Sequence, residues 1–497
     1  MIQKMYFGEN KNIEFKQEIP KNHEKFLKDI IAFANSSGGK VIVGIEDENG
    51  AVCGIGEQSP FKLSDAISIM VSDACVPQIE SAISFSTIED KTVLIVDVAP
   101  GKFRPYYLRS KGKEAGCYIR INGTSRPADA EKLKELELEG RNVSFDSLQA
   151  IGEKYDEQKA LELCHNMKKI AMSACHTKDE MLAVKDMTIE KLEDFGVLCK
   201  VGGKLSPANA FGLLTENKNR FARIQCALFK GLTRDIFIDQ KVFDGPIYQQ
   251  ISEAYNFVLR HIDMGAKING IYRSDVYELP NSAIREMIAN AVVHRSYLDK
   301  SCVQVCIFDD RLEVLSPGGL YGGLDLETIK LGKSKCRNAA IAEAFHYMRL
   351  VEAWGTGLPR ILSRCVEYGL PAPLFEEFGD SFKVTLFRKV VNAGEKVVNA
   401  GGKVVNAGKK VVNDFQKYRL VLNDIGASGV FIENIGLIYK AGRVAEYFGQ
   451  GDVQEWLECS KGKAIKLMRM MKDAGIIEKV TGHGAGKYRF RLLQGQR

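Results

Sequence analysis

Phe26, Leu27, Ile30, Ile31 and Ala34 fall at i, i+1, i+4, i+5 and i+8, so the pattern predicts a helix beginning near His23 with one apolar face. Gly38 is expected to stop it. Val41, Ile42, Val43 and Ile45 then form a short β-branched run, and Asp47-Glu48-Asn49-Gly50 signals a hairpin turn before a second strand from Ala51 to Ile55. Further strands are predicted at Ile13 to Gln17, Lys91 to Val98 and Gly116 to Ile121. From about 150 to 275 the pattern mixes helices, in "DEQKALELCHNMKKIA" and "PIYQQISEAYNFVLRHI", with the strand "ARIQCALFKG", and holds no catalytic motif. A new unit starts at Leu279: a helix over 282 to 297, strands "CVQVCIF" and "RLEVLS", the glycine cluster "PGGLYGGL", "LVEAWGTGLPRILSRCVEYGL", and a last strand from Phe382 to Phe387.

The internal repeat VVNAGEK, VVNAGGK, VVNAGKK, VVND runs from Val390 to Asp414 with a period of seven. A heptad invites a coiled coil, yet each full unit carries a glycine, which costs about 1 kcal/mol of helix propensity, and offers no second large core position. A flexible linker is expected, tolerant of changes in repeat number.

At 497 residues the chain exceeds one core, and its 45% apolar and 27% charged residues are those of a globular protein. The start, MIQKMYFGEN, lacks the apolar stretch of a signal peptide, and no run is long enough to span a bilayer, so a cytoplasmic protein without membrane partners is expected. None of the twelve cysteines forms a C-x-x-C pair, which leaves free thiols as the expectation. The net charge of +6 is unevenly spread: residues 461 to 497 hold ten Lys or Arg against two Asp or Glu, or +8, so the rest sums to −2. A basic tail asks for a polyanion.

In that tail, Lys463, Lys466, Arg469 and Lys472 recur every third residue, as do Ile465, Met468 and Met471, offset so that the two sets lie on opposite sides of a helix. A shorter helix, "VQEWLEC", precedes it. Two strands around "TGHGAG" follow, and on the second Lys487, Arg489 and Arg491 alternate on one face. The order resembles a winged helix-turn-helix, whose second helix enters the major groove while the wing meets backbone.

The helix at 282 to 297 sets Glu286, Asn290 and His294 on one face. A carboxylate four residues before an amide can activate water beside an oxygen able to hold Mg²⁺ between triphosphate oxygens. "SPGGL", with Gly318 and Gly319, and "WGTGLPRI", with Gly355 and Gly357, are turns where backbone can approach phosphate, the second opening into a helix N-terminus. "NAVVHRSY", "RLEVLSPGGL" and "EAWGTGLPRI" together resemble the GHKL or Bergerat ATPase fold, in the divergent form found behind Schlafen-like modules. The resemblance implies ATP with Mg²⁺, Glu286 as the ATPase base, Asn290 as the Mg²⁺ ligand, and His294, Gly318, Gly319, Gly355 and Gly357 around the nucleotide. The family's adenine-reading Asp-x-Gly-x-Gly turn has its nearest equivalent in Ser316-Pro317-Gly318-Gly319, so binding is expected ahead of hydrolysis.

Glu9 with "IEFK", "AFANSSGGKVIVGIEDENGAVCGI" and "CYIRINGTSRPAD" resemble the Schlafen AlbA domain over most of residues 1 to 140. That resemblance implies nucleic-acid binding, with Lys16, Arg104, Arg109, Arg120 and Arg126 lining a phosphate surface. Some Schlafen proteins are metal-dependent ribonucleases built on three carboxylates, and Glu9, Glu14 and Asp47 stand where those acids would be sought. Glu9 and Glu14 are five apart, so a bend before Ile13 is needed to bring them to one side.

The expectation is a multidomain α+β protein: a Schlafen AlbA-like α/β module over 1–140, a mixed scaffold over 141–275, a GHKL-like α/β sandwich over 276–389, the repeat linker over 390–414, and a winged helix-turn-helix over 415–497. The function expected is an ATP-responsive transcriptional regulator holding duplex DNA, with a metal-dependent ribonuclease acting on structured RNA as the alternative. A weak ATPase and that ribonuclease are the two enzyme activities considered. A homodimer is expected, because winged-helix proteins often read paired half-sites.

Overall fold

The helix expected near His23 spans His23–Ala34, and the Asn22 side chain caps it by accepting from the Glu24 N–H. It is buried on more than one face, from Phe26 through Ala34. The reason is its place between a four-stranded sheet and the Tyr118–Ile121/Thr124–Pro127 hairpin. Asn35 follows it and ties these layers together: its amide donates to the carbonyls of Tyr106 and Tyr118 and accepts from the Tyr106 N–H. Buried amides of this kind cost stability unless every partner is present.

The computed structural model describes residues 11–46, 50–56, 59–121, 123–269, 272–352, 355, 357–388, 434–439, 447–457, 459–480 and 487–491, without the side chains of 266–275. It forms two units, Met1–Lys389 and Val390–Arg497. Glu9, Asp47, the heptapeptide repeat and the "TGHGAG" loop lie outside the described residues.

In the first unit, the N-terminal sheet runs in the order Ile13–Lys16, Gly39–Val43, Lys91–Val98, Ser81–Ile88. Its first pair is parallel and the others antiparallel. A second, six-stranded sheet runs Phe237–Phe243, Ile224–Phe229, Val303–Ile307, Arg311–Pro317, Ser381–Phe387, Leu374–Phe378. Ile224–Phe229 and Val303–Ile307 pair in parallel, so two strands from the stretch read as separate scaffold belong to the same sheet as the glycine-rich region. The helices Ile247–His261 and Asn281–His294 pack together and cover this sheet in one continuous core. The second of them stops at His294 rather than continuing to Tyr297. Arg295 there adopts an extended backbone, and its side chain is buried against the carbonyls of Phe221 and Ser301.

The second unit has a helical turn at 434–439, then the helices Gln450–Leu457 and Lys461–Asp473 and an antiparallel pair, Ile477–Lys479 with Tyr488–Phe490. Ser460 caps the longer helix by accepting from the Lys463 N–H. Ala464, Leu467, Met468 and Met471 are its buried positions, whereas Ile465 is 47% exposed, a correction to its place in the apolar set. The buried stripe follows i, i+3, i+4, i+7, which leaves position 465 one step around the helix among the cations. No helix among the described residues is long and apolar enough to cross a membrane.

Candidate nucleotide and nucleic-acid sites

Glu14 stands on the first strand beside Lys16, both largely buried. One Glu14 oxygen faces the Lys16 ammonium and the other accepts from Arg120 at 2.8 Å. Asp29 lies in the same cluster: burial and the nearby Glu14 charge raise its pKa, against a hydrogen bond from Ser125 and the charges of Lys16 and Arg120. The Arg120 side chain is 1% exposed, and its guanidinium also donates to the Gly123 carbonyl. Arg104 is equally internal, paired with Glu139 at 2.5 Å and donating to the carbonyls of Ala34 and Ser36. Both arginines are therefore corrected from phosphate surface to internal ties. Arg109 and Arg126 are exposed.

In the larger core, Ala283, Ile284, Met287, Ile288 and Val292 are buried, which turns Glu286, Asn290 and His294 of the same helix toward a cleft. Gly318, Gly319, Gly355 and Gly357 line that cleft too. Asn290 Nδ2 donates to Glu286 Oε1 at 3.0 Å. Burial raises the Glu286 pKa; the Asn290 hydrogen bond and the Arg360 charge work against this, and the Glu352 charge adds to it. A carboxylate so shifted is a better proton acceptor near neutrality than an exposed one. Gly357 opens the helix Gly357–Glu367, and a Cβ there would collide with the Glu286 carboxylate and lie 2.8 Å from the Asn290 amide. A glycine lets that helix N-terminus close on the pair without displacing either side chain. Gly318 has φ +92°, and a Cβ there would crowd Arg337 Nη1 at 2.5 Å. Ser316 sits beneath, its hydroxyl donating to the Ala291 carbonyl at 2.7 Å.

Burial pushes the His294 imidazole down to about 4, with the Arg337 charge adding to the effect, so the ring is neutral at pH 7. Its unfolded value is about 6.5. The unfolded chain therefore binds the extra proton between those values, and stability is complete above about pH 6.5 and falls toward pH 4. His294→Gln is expected to flatten that part of the first unit's urea-midpoint profile, measured between pH 4 and 7.

In the second unit Lys463, Lys466 and Arg469 are exposed on the Lys461–Asp473 helix. Lys487 pairs with Asp452 at 2.6 Å and Arg489 with Glu478 at 2.7 Å, so these two cations are partly neutralised within the unit. Arg491 is exposed, and its N–H donates to the Ile476 carbonyl.

The N-terminal domain is a small mixed sheet carrying a buried helix and a hairpin. Residues 9–129 match the Schlafen, AlbA_2 family model. Residues 300–386 match a second one, "Putative ATP-dependent DNA helicase recG C-terminal". The chain thus joins an AlbA-like N-terminal domain to an ATPase-like region. That second match spans all four cleft glycines but begins after the helix that carries Glu286 and Asn290. Among solved structures, the DIP2311 protein from Corynebacterium diphtheriae is 19% identical, with 97% of this chain and 92% of that chain covered and a TM-score of 0.41. The N-terminal domain of a RecG-related protein from Nitrosomonas europaea is 19% identical over 24% of this chain and 81% of that one, with a TM-score of 0.18. The comparison with curated proteins finds no match.

Motif reading missed a set of residues at the cleft. Lys333, Ser334, Lys335 and Arg337 line the cleft of the ATPase-like region. The signal for them was the cation-rich "GKSKCR" that follows the first glycine cluster. Arg337 Nη2 donates to the Gly319 carbonyl at 2.8 Å and Nη1 to that of His294, while Nε faces Glu135 Oε1 at 2.6 Å.

Proposed function

We propose that this protein is a nucleic-acid-binding regulator that responds to ATP, holding duplex DNA through a winged helix in its second unit and through its AlbA-like domain. The observation that carries this reading is the sorting of the Lys461–Asp473 helix, with Ala464, Leu467, Met468 and Met471 buried and Lys463, Lys466 and Arg469 exposed on the other side. A cationic helix face followed by a two-stranded hairpin suits the major groove and the adjoining backbone. The AlbA_2 match supports a second nucleic-acid contact, and a transcriptional role with paired half-sites would suit a homodimer.

The nucleotide half rests on the cleft. The close approach of Gly357 to Glu286 and Asn290 and the Lys333 and Lys335 rim suit a nucleoside triphosphate. Bound Mg²⁺ would supply charge neutralisation on the phosphates. Asn290 would hold that ion through its amide oxygen, the glycine turns would present N–H groups to phosphate, and Glu286 would accept a proton from water. Apart from Glu286 and Glu352, no carboxylate lines the cleft among the described residues, so a base amine meets no acidic partner like the family's aspartate. The ribonuclease alternative gains no such support, because both Glu14 oxygens already face cations.

The deciding assay combines the full chain with labelled duplex DNA and structured RNA, with and without ATP and Mn²⁺, on native and denaturing gels. Retarded duplex that needs residues 415–497 and shifts with ATP is expected. RNA fragments lost in Glu14→Ala would replace this reading with the nuclease, and gels indifferent to ATP would remove its nucleotide half.

A further inference from the structure

One loop, Pro317 to Leu324, separates two clefts of the first unit. Gly318, Gly319, Leu320 and Leu324 line the nucleotide cleft on one side. The same four residues line a second, more polar cleft on the other, together with Ser36, Arg104 and Glu135 of the AlbA-like domain and the helix that follows it. The loop is fastened to that N-terminal side at three points. Gly323 packs so closely that a Cβ would lie 2.9 Å from the Arg104 guanidinium and 3.0 Å from both Pro100 and the Ser36 carbonyl. The Leu320 N–H donates to Glu377, which is ion-paired with Lys11. Arg337 grips the Gly319 carbonyl, lies 5.1 Å from the Tyr321 ring and reaches Glu135.

The Glu135–Arg337 pair is well enclosed, with side chains 10% and 6% exposed. Burial works to raise the Glu135 pKa, but the Arg337 and Lys132 charges outweigh it and hold it at about 2. Breaking one partner of an enclosed pair leaves the other charge uncompensated, so the loop cannot shift freely while the pair stands. Neither Glu135 nor Gly323 lines the nucleotide cleft.

We propose that Arg337, oriented by Glu135, is the positioning residue that couples nucleotide occupancy of the cleft to nucleic-acid binding by the AlbA-like domain, through the Pro317–Leu324 loop. This rests on the nucleotide-binding reading above and adds where the coupling resides. A nucleotide can bias the N-terminal domain only by binding one loop arrangement better than another, and the effect must be reciprocal. Loop shifts toward the phosphates pull on Arg337 and Gly323; loop shifts driven by a polynucleotide on the AlbA-like domain change the glycines the phosphates meet.

The test uses the full chain carrying Lys463→Ala, Lys466→Ala and Arg469→Ala, so that the AlbA-like domain supplies most of the polynucleotide contact. Affinity for a fluorescent ATP analogue with Mg²⁺ is measured with and without a saturating RNA hairpin or DNA duplex. A five- to hundredfold change on adding polynucleotide is expected in this parent, the usual span of coupling between sites. In Glu135→Gln and, independently, in Gly323→Ala the ratio is expected to fall within twofold of unity while the analogue still binds. A role confined to stability would lower the melting temperature and leave the ratio unchanged, which overturns the proposal. A ratio near one in the parent overturns it as well. Absence of analogue binding in the parent removes the nucleotide reading itself, and the proposal with it.

Discussion

Gly357→Ala is expected to weaken MgATP binding about a hundredfold, equivalent to about 2.7 kcal/mol. The added methyl would collide with the Glu286 carboxylate and stand 2.8 Å from the Asn290 amide, so one of the site's own groups must move to admit it. Either the Gly357–Glu367 helix withdraws, taking its N-terminal N–H groups away from phosphate, or the Glu286–Asn290 hydrogen bond opens and the amide turns from the position that would hold Mg²⁺. Both routes damage the site; withdrawal of the helix would also disturb its buried residues, Ile361 and Cys365, and so lower the melting temperature, whereas the second route leaves them in place. Titration calorimetry of the variant against the parent, with melting temperatures as a control, measures the effect. Glu286→Gln provides the contrast: its binding is expected within about threefold of the parent, since the amide keeps the contact to Asn290, whereas any ATP turnover is lost. A Gly357→Ala protein that binds MgATP as tightly as the parent would show that the pair and the glycine do not form the phosphate site.

Much of this geometry is local enough to be written in short spacings. The His23–Ala34 helix announces itself by an apolar repeat. Glu286, Asn290 and His294 share a face because helical periodicity puts them there. What spacing could not convey is pairing at a distance. The parallel match of Ile224 with Val303 joins segments separated by two helices, and nothing in either strand names its partner. Phe237–Phe243 is exposed along nearly its whole length at the sheet edge, so it lacks the alternation that marks a half-buried strand. Pro60–Ala74 buries only Ile67 and Val71, too thin a stripe to stand out. The same limit applied to charge. Arg104 and Arg120 look in sequence like any surface arginine, and only the fold shows Glu139 and Glu14 waiting for them. Glu135, in a helix dense with charge, and Arg337, at the end of the cation-rich "GKSKCR", become a pair because the helix Ala130–Gly140 lies against the glycine-rich region.

The second large effect concerns the basic helix. Replacing Lys463, Lys466 and Arg469 together by alanine is expected to cut duplex affinity about a hundredfold at 0.15 M salt and to lower the slope of log K against log salt by about 3, as loss of three phosphate contacts requires. Alanine favours helix and none of the three side chains belongs to the buried stripe, so the unit's stability should hold. Lys487 and Arg489 form the comparison. Each already faces a carboxylate, Asp452 at 2.6 Å and Glu478 at 2.7 Å, and must give up part of that interaction to meet phosphate. Their replacement by alanine is therefore expected to change the salt slope by less than two and the affinity by less than tenfold. Fluorescence anisotropy across a salt series separates the two variants. If the triple variant keeps both the affinity and the slope of the parent, duplex DNA is held elsewhere, and the sorted faces of the Lys461–Asp473 helix are simply a packed side and a solvated one.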